Sequence, residues 1–234
     1  MPWRPRPAAC VSTPGPSAGP SNAWGGRAKK KSLRASERDH AGAAAARQDW
    51  RAELEAVDPA RPVFIDESAA PTNLVRWYAR SLRGTRAHGP APYGYWTRLT
   101  VIGALGVEGM VGAMALEAAT SGAVFAAFLD RVLPPELRRI KPDAMIVMDN
   151  LAAHKTRAVR DLLERSGFAY RYLPPYSPDL NPIEPAWAKV KAQLRKAGAR
   201  TAEALHQALG LALDAVSARD ASGFFHHAGY ARPN

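Results

Sequence analysis

The sequence predicts an α/β fold in which helices flank a mixed five-stranded sheet. Of its 234 residues, 47% are hydrophobic and 23% are charged, which leaves enough apolar surface for a buried core. Three strand-like runs follow one another in the first half, and two more alternate with helical runs in the second half. Consecutive strands favour antiparallel pairing and strands separated by helices favour parallel pairing, so one sheet should contain both.

Five apolar runs of strand length carry this prediction. They are residues 62–66, 96–106, 110–116, 145–149 and 168–173. β-branched and aromatic residues are frequent in these runs and turn-forming residues bound them, as is typical of strands. The first and the fourth run each end in an aspartate, Asp66 and Asp149.

Hydrophobic periodicity predicts four helices in the same region. They cover residues 121–132, 154–165, 182–197 and 201–216. Ser121 is a suitable N-cap for the first of these helices. Gly167 is a suitable stop for the second, because glycine adopts the left-handed conformation that commonly ends a helix.

The N-terminal region differs in composition from the rest of the chain. Residues 1–30 contain six prolines and four glycines, and residues 1–36 contain seven basic residues and no acid. Such a composition buries too little apolar surface to offset the entropy of ordering. We therefore expect a disordered basic tail over 1–30, a helical lead-in segment over 31–56 and the main domain over 57–234.

Charge and cysteine content restrict the compartment and the partners. The net charge of +11 points to a polyanionic partner. The single cysteine, Cys10, excludes an intramolecular disulfide and fits a reducing compartment. The chain starts without an apolar signal segment, and Glu117 interrupts its most apolar stretch, residues 109–129. We therefore expect a cytoplasmic protein that does not enter the membrane.

Three carboxylates are candidates for one site. Asp66 and Asp149 end strands, and ligands collect at the carboxyl ends of strands in α/β sheets. Glu184 lies near the start of a helix, where Asn181 can serve as N-cap and Pro182 suits the first helical position. Alternatively, each aspartate only begins a turn, and Glu184 only completes a capping box with the Asn181 backbone.

Helical geometry divides the cations that follow Glu184 into two groups. Glu184 lies at the edge of the apolar stripe of its helix and therefore borders the core face. Lys191 and Arg195 lie on the same side as Glu184, so a polyanion that reaches Glu184 would meet both. Lys189 and Lys196 point the other way and are expected to face solvent.

Converging carboxylates require a counter-charge. At about 4 Å, two of them repel by roughly 4 kcal/mol at an effective dielectric constant of about 20. Divalent cations relieve this repulsion, and oxygen ligands without a thiolate or a histidine cluster favour Mg²⁺ or Mn²⁺ over zinc. If Asp66, Asp149 and Glu184 converge, we therefore expect two Mg²⁺ ions, with Mn²⁺ as a substitute, between them.

Three motifs resemble those of mariner-like bacterial insertion-sequence transposases. They are FIDES around Asp66, VMDNLAAHK around Asp149 and YLPPYSPDLNPIEPAW around Glu184, and 34 residues separate the second aspartate from the glutamate. The resemblance implies a ribonuclease-H-like DDE endonuclease domain in which these three acids are the catalytic and metal-binding residues. The motif residues that it adds are Asn150 and His154 in the second motif and Asn181 and Pro182 in the third.

The resemblance also implies an activity and partners. It implies metal-dependent cleavage and strand transfer of the DNA of an insertion sequence, by a nucleoid-associated homodimer that acts at TA targets. Lys191 and Arg195 are then candidate DNA-binding residues. Residues 1–56 are too short for the paired helix-turn-helix units usual in the family, so an upstream helix-turn-helix polypeptide is an expected partner. The alternative is a catalytically silent DNA-binding remnant, or a partner subunit of a split transposase.

Three weaker signals allow two interpretations each. Residues 68–107 contain no acid but five arginines interleaved with Trp and Tyr, which suits either a nucleic-acid surface or a solvated, partly packed loop, since Trp and Tyr also anchor cores. His154 either serves the site or is an ordinary residue in the first turn of a helix. His226, His227 and Tyr230 suggest a covalent tyrosine mechanism, but adjacent helical residues point about 100° apart and are poorly placed to share an ion.

Overall fold

The computed structural model describes residues 36–55, 57–76 and 78–230 of the chain. The tail predicted over 1–30 lies outside the described residues, as does the start of the lead-in segment. Among the described helices, none is both long enough and apolar enough to cross a membrane.

Five strands form one mixed sheet, as the sequence predicts. They are β1 (Pro62–Pro71), β2 (Arg98–Gly106), β3 (Gly109–Leu116), β4 (Met145–Met148) and β5 (Ala169–Tyr172). Their order in the sheet is β3-β2-β1-β4-β5. The first three strands pair antiparallel, and the pairs β1–β4 and β4–β5 are parallel.

The prediction that β1 ends at Asp66 is wrong. The parallel pairing with β4 does end there, because Ile65 pairs with Met148 and β4 goes no further. The strand nevertheless continues to Pro71, since its last residues still pair antiparallel with β2. Its second half, ESAAP, contains no large apolar residue, so the sequence gives no sign of a strand there. Asp66 therefore lies inside a strand, at the point where one neighbour stops.

Seven α-helices are present among the described residues. They are α1 (Ala41–Glu55), α2 (Gly122–Arg131), α3 (Leu133–Ile140), α4 (Arg157–Ser166), α5 (Ile183–Ala197), α6 (Ala202–Asp214) and α7 (Ala218–His227). The predicted N-cap of α2 is confirmed, because the side chain of Ser121 accepts from the backbone N–H of Val124. The predicted stop of α4 is confirmed too, because Gly167 has φ of 78°.

Two helices and one helix start were not predicted correctly. Helix α3, which the sequence analysis did not predict, has Pro134 and Pro135 as its second and third residues, and proline costs no hydrogen bond in a first turn. Helix α7 follows α6 closely and begins with a capping box of Ser217 and Asp220. Helix α4 begins at Arg157 and not at His154, because Thr156 caps it; His154 lies in a preceding 3-10 turn, Ala152–Lys155.

The helices cover both faces of the sheet. Alternate residues of β1 point to opposite faces, so Phe64 belongs to one core and Val63 and Ile65 to the other. Residues of α5, α6 and α7, with Trp50 of α1, fill the Phe64 side. Residues of α2, α3 and α4 fill the opposite side. The result is a three-layer α/β arrangement with β1 at its centre.

Helix α1 is attached to a loop near the start of α5 by a buried arginine. Arg47 is only 5% exposed. Its Nη1 donates to Ser177 Oγ at 2.6 Å and to Asp179 Oδ1 at 3.0 Å, and its Nη2 donates to Asp179 Oδ2 at 2.7 Å. Arg38 Nη2 adds a further bond to the same carboxylate at 2.9 Å. Burial alone would raise the pKa of Asp179, but the hydrogen bonds and charge of Arg47 outweigh it and lower that pKa.

Tyr230 holds the other side of the same loop. Its hydroxyl donates to the backbone oxygen of Leu180 at 2.5 Å and accepts from Trp50 Nε1 at 3.1 Å. The side chain is buried, and burial raises the pKa of its phenol. A tyrosine bonded in this way inside the core is not placed to attack DNA, so the structure gives no support to a covalent tyrosine mechanism.

We expect Arg47→Met to lower the free energy of unfolding at neutral pH by about 1–2 kcal/mol, because bidentate hydrogen bonds to a partly exposed carboxylate are lost. The pKa of Asp179 is lower in the folded state than in the unfolded state. The stabilisation by Arg47 is therefore fully present above about pH 4, the ordinary pKa of an aspartate, and it is lost as the pH falls through the pKa of Asp179 in the folded state. Urea unfolding at pH 7 and pH 3 should therefore show a smaller difference between the two proteins in acid. Arg157→Met is the control, because that side chain is 92% exposed; equal losses in both variants would contradict the prediction.

Candidate active site

A cavity of about 570 Å³ lies where β4 ends and α5 begins. Its lining includes Asp66, Asp149 and Glu184, which come from three different elements. Asn150 and Asn181 line it as well, and residues 173–178 form one wall. The structure thus brings the three predicted acids to one cavity.

The sheet register positions two of these acids. Asp66 directly follows Ile65, and Asp149 directly follows Met148, which is the parallel partner of Ile65. The ribonuclease-H-like resemblance implies that the two strands leading to these aspartates are parallel neighbours, and the register confirms this. Glu184 lies in the first turn of α5, where its side chain is exposed, while Ile183 beside it is fully buried.

Asp66 is the acid whose ionisation is most affected. Its pKa is raised to about 7, first by burial and then by the negative charge of Glu184, with smaller contributions from Glu67 and Asp149; a backbone hydrogen bond at Glu67 acts in the opposite direction. Its Oδ2 accepts a hydrogen bond from Trp187 Nε1 at 3.1 Å. The neighbouring carboxylates are thus close enough to disfavour the negative charge of Asp66.

Trp187 reaches Asp66 because the neighbouring strand β2 has a glycine opposite Asp66. Gly103 of β2 is the pairing partner of Asp66. A Cβ atom at position 103 would lie 2.6 Å from Cη2 of Trp187 and 2.8 Å from Cε of Met110, closer than such atoms approach. Glycine at this position therefore lets the indole lie against the strand, a requirement that the sequence does not reveal.

His154 connects the second acid to a fourth carboxylate. The imidazole is only 1% exposed and stacks on Phe125, with ring centroids 4.0 Å apart. Its Nε2 lies 3.0 Å from Glu67 Oε1 in hydrogen-bond geometry. Its Nδ1 lies 2.6 Å from Asp149 Oδ1 but out of line for a hydrogen bond, so we describe this contact as electrostatic.

The charge state of His154 follows from these contacts. Burial alone would lower its pKa, but contacts with Asp149 and Glu67 outweigh burial and raise it to about 9. The imidazole is therefore protonated at neutral pH and lies between two negative groups. The interpretation of His154 as an ordinary first-turn helix residue is wrong, and Glu67 is a site residue that the sequence analysis did not identify. Glu67 could have been identified from its position directly after Asp66 in the FIDES motif.

The two asparagines present unsatisfied oxygen atoms. Oδ1 of Asn150 and Oδ1 of Asn181 are buried and have no hydrogen-bond partner among the described residues. The predicted cap at Asn181 is wrong, because α5 begins at Ile183 after Pro182 and its start has no side-chain cap. Each side chain therefore keeps a free oxygen beside the carboxylates.

The donor set fits a hard divalent cation. Three carboxylates and two unsatisfied amide oxygens line the cavity, and oxygen ligands of this kind suit Mg²⁺ or Mn²⁺. As the side chains lie, no three described His, Cys, Asp or Glu residues are arranged to hold one ion. Convergence of all three acids on metal therefore stays a prediction.

The basic side chains of α5 lie in different surroundings. Lys191 lines an adjoining groove of about 650 Å³ with Arg98 and Glu67, and not the acidic cavity itself. Arg195 is half-buried, and its Nε has no hydrogen-bond partner among the described residues. Lys196 is exposed, as predicted. The prediction for Lys189 is wrong, because its ammonium pairs with Asp220 at the start of α7.

The sheet order, the helical layers on both faces of the sheet and the acid-lined cavity define a ribonuclease-H-like domain. Residues 61–206 match the family described as DDE superfamily endonuclease. Because this match covers more than half of the chain, the chain belongs to that family. The expected DDE endonuclease family and ribonuclease-H-like fold are thereby confirmed, and the bacterial origin stays a prediction. No curated protein matches the chain significantly by sequence.

Solved structures of Mos1 transposase share this fold. A pre-cleavage Mos1 transpososome is 20% identical with a TM-score of 0.70, over 86% of this chain and 64% of that chain. The Mos1 strand transfer complex is 22% identical with a TM-score of 0.66, over 86% and 62%. The catalytic domain of Mos1 mariner transposase is 18% identical with a TM-score of 0.64, over 83% and 90%. The chain thus spans less than two thirds of the transpososome protein and nearly the whole of its catalytic domain.

We expect Gly103→Ala to destabilise the domain by about 1–3 kcal/mol, because the new methyl group displaces the indole of Trp187 or the end of Met110. The control is Gly112→Ala in the neighbouring strand, where the added Cβ would meet only Leu133 Cδ1 at 3.7 Å. That substitution should be neutral or stabilising by up to about 1 kcal/mol. Urea unfolding of both variants is the measurement, and equal effects would mean that the close approach at position 103 has no energetic importance.

Proposed function

We propose that the chain is the catalytic domain of a transposase, which cuts the DNA strands at the ends of an insertion sequence and joins them to a target. The observation that carries this proposal is the cavity lined by Asp66, Asp149 and Glu184. The family match over residues 61–206 supports the cutting activity. The likeness to Mos1 complexes described as pre-cleavage and strand transfer supports the joining of strands.

The three acids would hold two divalent cations, Mg²⁺ or Mn²⁺, with the amide oxygens of Asn150 and Asn181 close by. When bound, such ions activate the attacking oxygen and stabilise the leaving oxygen of a phosphodiester. Mos1 complexes have been solved with Mn and with Mg, which supports this choice of metal. The raised pKa of Asp66 supports it as well, because a site that disfavours its own negative charge is suited to cations.

Neighbouring side chains would orient the acids. The imidazole of His154 lies against Oδ1 of Asp149, which leaves the other oxygen free for the cavity. Trp187 orients Asp66 by donating a hydrogen bond to its Oδ2. Leu151 N–H also donates to Asp149 Oδ1, at 3.2 Å. Each aspartate would thus present one oxygen with a defined direction.

DNA is the proposed substrate and partner. The net charge of +11 favours a polyanion. We further propose that the active complex is a homodimer, which the paired-end complexes of Mos1 support. An upstream helix-turn-helix polypeptide would recognise the element ends, as the sequence resemblance implies.

We expect Asp149→Asn to reduce Mg²⁺-dependent cleavage of element-end DNA to background while the protein stays folded, because an oxygen ligand loses its charge. Removal of that charge should also make the metal-free protein less stable than the wild type, because the buried His154 loses part of its counter-charge. Gel assays of cleavage and thermal unfolding with and without Mg²⁺ are the measurements. Mg²⁺ should raise the Tm of the wild type and not of the variant.

Asp143→Asn is the matched control, because that side chain is 70% exposed and lies in the turn before β4. It should cut as the wild type does. If Asp149→Asn cuts at the wild-type rate, the assignment of the acids is wrong. If the wild type binds DNA but never cuts, with or without an added upstream polypeptide, the chain is a catalytically silent DNA-binding partner.

We expect Lys191→Gln and Arg195→Gln each to lower the slope of log affinity against log salt by about 0.9 for duplex DNA, because each loses one phosphate contact. Lys196→Gln is the control on the same helix and should leave the slope unchanged. Lys189 is unsuitable as a control, because it pairs with Asp220. Binding across a salt series in EDTA is the measurement; the same slope change in all three variants would indicate diffuse charge and no defined path along α5.

A further inference from the structure

Glu67 follows Asp66 in the sequence but does not line the same cavity. Successive side chains of a strand point to opposite faces of the sheet, so these two acids project to opposite sides of β1. Asp66 lines the acidic cavity, whereas Glu67 lines the adjoining groove that contains Lys191. Glu67 is therefore not placed to bind a cation held among the three acids.

The imidazole of His154 connects Glu67 to one of those acids. Its Nε2 is hydrogen-bonded to Glu67 Oε1 at 3.0 Å, and its Nδ1 lies 2.6 Å from Asp149 Oδ1. The ring is only 1% exposed and does not line the acidic cavity. Glu67 and Asp149 thus contact opposite edges of one buried ring, and a change at Glu67 can reach the cavity through that ring.

The backbone and the ring plane of His154 are fixed by other residues. His154 N donates to Leu151 O at 3.1 Å, and Tyr172 Oη donates to His154 O at 3.0 Å. The ring stacks on Phe125, whose own side chain is 1% exposed. None of these three contacts involves Glu67, so its substitution should leave the ring in the same plane.

These contacts do not select which edge of the ring faces Asp149. A half-turn about the Cβ–Cγ bond leaves an imidazole in the same plane but exchanges each nitrogen with a carbon. After such a turn, His154 would direct carbon atoms at both Asp149 and Glu67. The bond between Nε2 and Glu67 Oε1 disfavours this orientation, because a carboxylate that is only 18% exposed would lose its partner.

We infer that Glu67 is a positioning residue, which acts through His154 and does not bind the metal itself. By selecting the ring orientation, it keeps Nδ1 against Oδ1 of Asp149 and leaves the other oxygen of that carboxylate free for the cavity. The inference rests on the proposed function only for the role of Asp149 as a metal ligand. Because this role is geometric, the reach of the Glu67 side chain matters and its charge does not.

Two substitutions separate reach from charge. Glu67→Gln removes the charge but keeps an amide at the same reach, which can hold Nε2 as acceptor or as donor. Glu67→Asp keeps the charge but shortens the side chain by one methylene group. The measurement is the dissociation constant of Mg²⁺ for the full chain without DNA, obtained from the rise of Tm with Mg²⁺ concentration. Glu117→Ala is the matched control, because this exposed carboxylate lines the same groove.

Loss of a group that orients a metal ligand typically lowers metal affinity by about 10–100-fold. We expect Glu67→Asp to weaken Mg²⁺ binding by about tenfold or more, and Glu67→Gln to stay within about threefold of the wild type. Glu117→Ala should bind Mg²⁺ as the wild type does. The opposite order of the Asp and Gln variants would mean that the charge of Glu67 matters, and it would overturn the inference.

A double-mutant cycle tests whether Glu67 acts through the imidazole. His154→Leu removes both ring nitrogens, so Glu67→Asp should cause no further weakening of Mg²⁺ binding in that background. The same loss in both backgrounds would show that Glu67 acts by another route and would overturn the inference. If His154→Leu does not fold, the comparison of Gln with Asp at position 67 decides the question by itself.

A measurement without metal separates this inference from the proposed function. In EDTA, proton NMR should show a slowly exchanging ring N–H of His154 in the wild type and in Glu67→Gln, and that signal should be shifted or lost in Glu67→Asp. An unchanged signal in Glu67→Asp overturns the inference, even if Asp149→Asn abolishes cleavage as proposed. If the signals change as expected but the wild type binds no Mg²⁺, the positioning of Asp149 stands and the metal-binding role of the acids is wrong.

Discussion

The parallel pairing of β1 with β4 is the constraint on which the site depends. Ile65 lies opposite Met148, and the next residue of each strand is an aspartate. Both faces of β1 are apolar and buried as far as Ile65, so this register places the two aspartates together where the buried pairing ends. Burial and neighbouring charges then raise the pKa of Asp66 to about 7. The interactions that stabilise the core are thus the same ones that hold like charges together.

The side chains around the acids limit the cost of this arrangement. His154 carries a positive charge between Asp149 and Glu67, and its stacking on Phe125 keeps the ring from turning. On the other face of β1, Trp187 donates to Asp66 without adding a charge. His154 therefore compensates the charge of Asp149, whereas Trp187 only orients the carboxylate of Asp66. Trp187 therefore does not offset the burial and the neighbouring negative charges that raise the pKa of Asp66.

The sequence was sufficient for the five strands, for four of the helices and for the placing of the three acids at one cavity, because each depends on local patterns. Apolar runs bounded by turn residues, the cap at Ser121, the stop at Gly167 and the aspartates that follow apolar runs are such patterns. Features that depend on contacts across the chain could not be predicted. Gly103 is required only because Trp187, far along the chain, lies on it. Lys189 seemed free on a helical wheel, yet a cap residue of another helix, Asp220, binds it. Asn181 looked like a cap, yet its oxygen remains free beside the cavity.

The wall of the cavity depends on residues from both ends of the described chain. Arg47 of α1 binds Ser177 and Asp179, and Tyr230 after α7 binds the backbone of Leu180. Trp50 joins the two by donating to the Tyr230 hydroxyl. All three lie outside residues 61–206, the segment that matches the family. That segment contains the acids, but the loop that leads to Asn181 and Glu184 is held from outside it. Helix α1 and the residues that follow α7 therefore belong to the structural unit of the site, although none of the acids and amides that line the cavity comes from them.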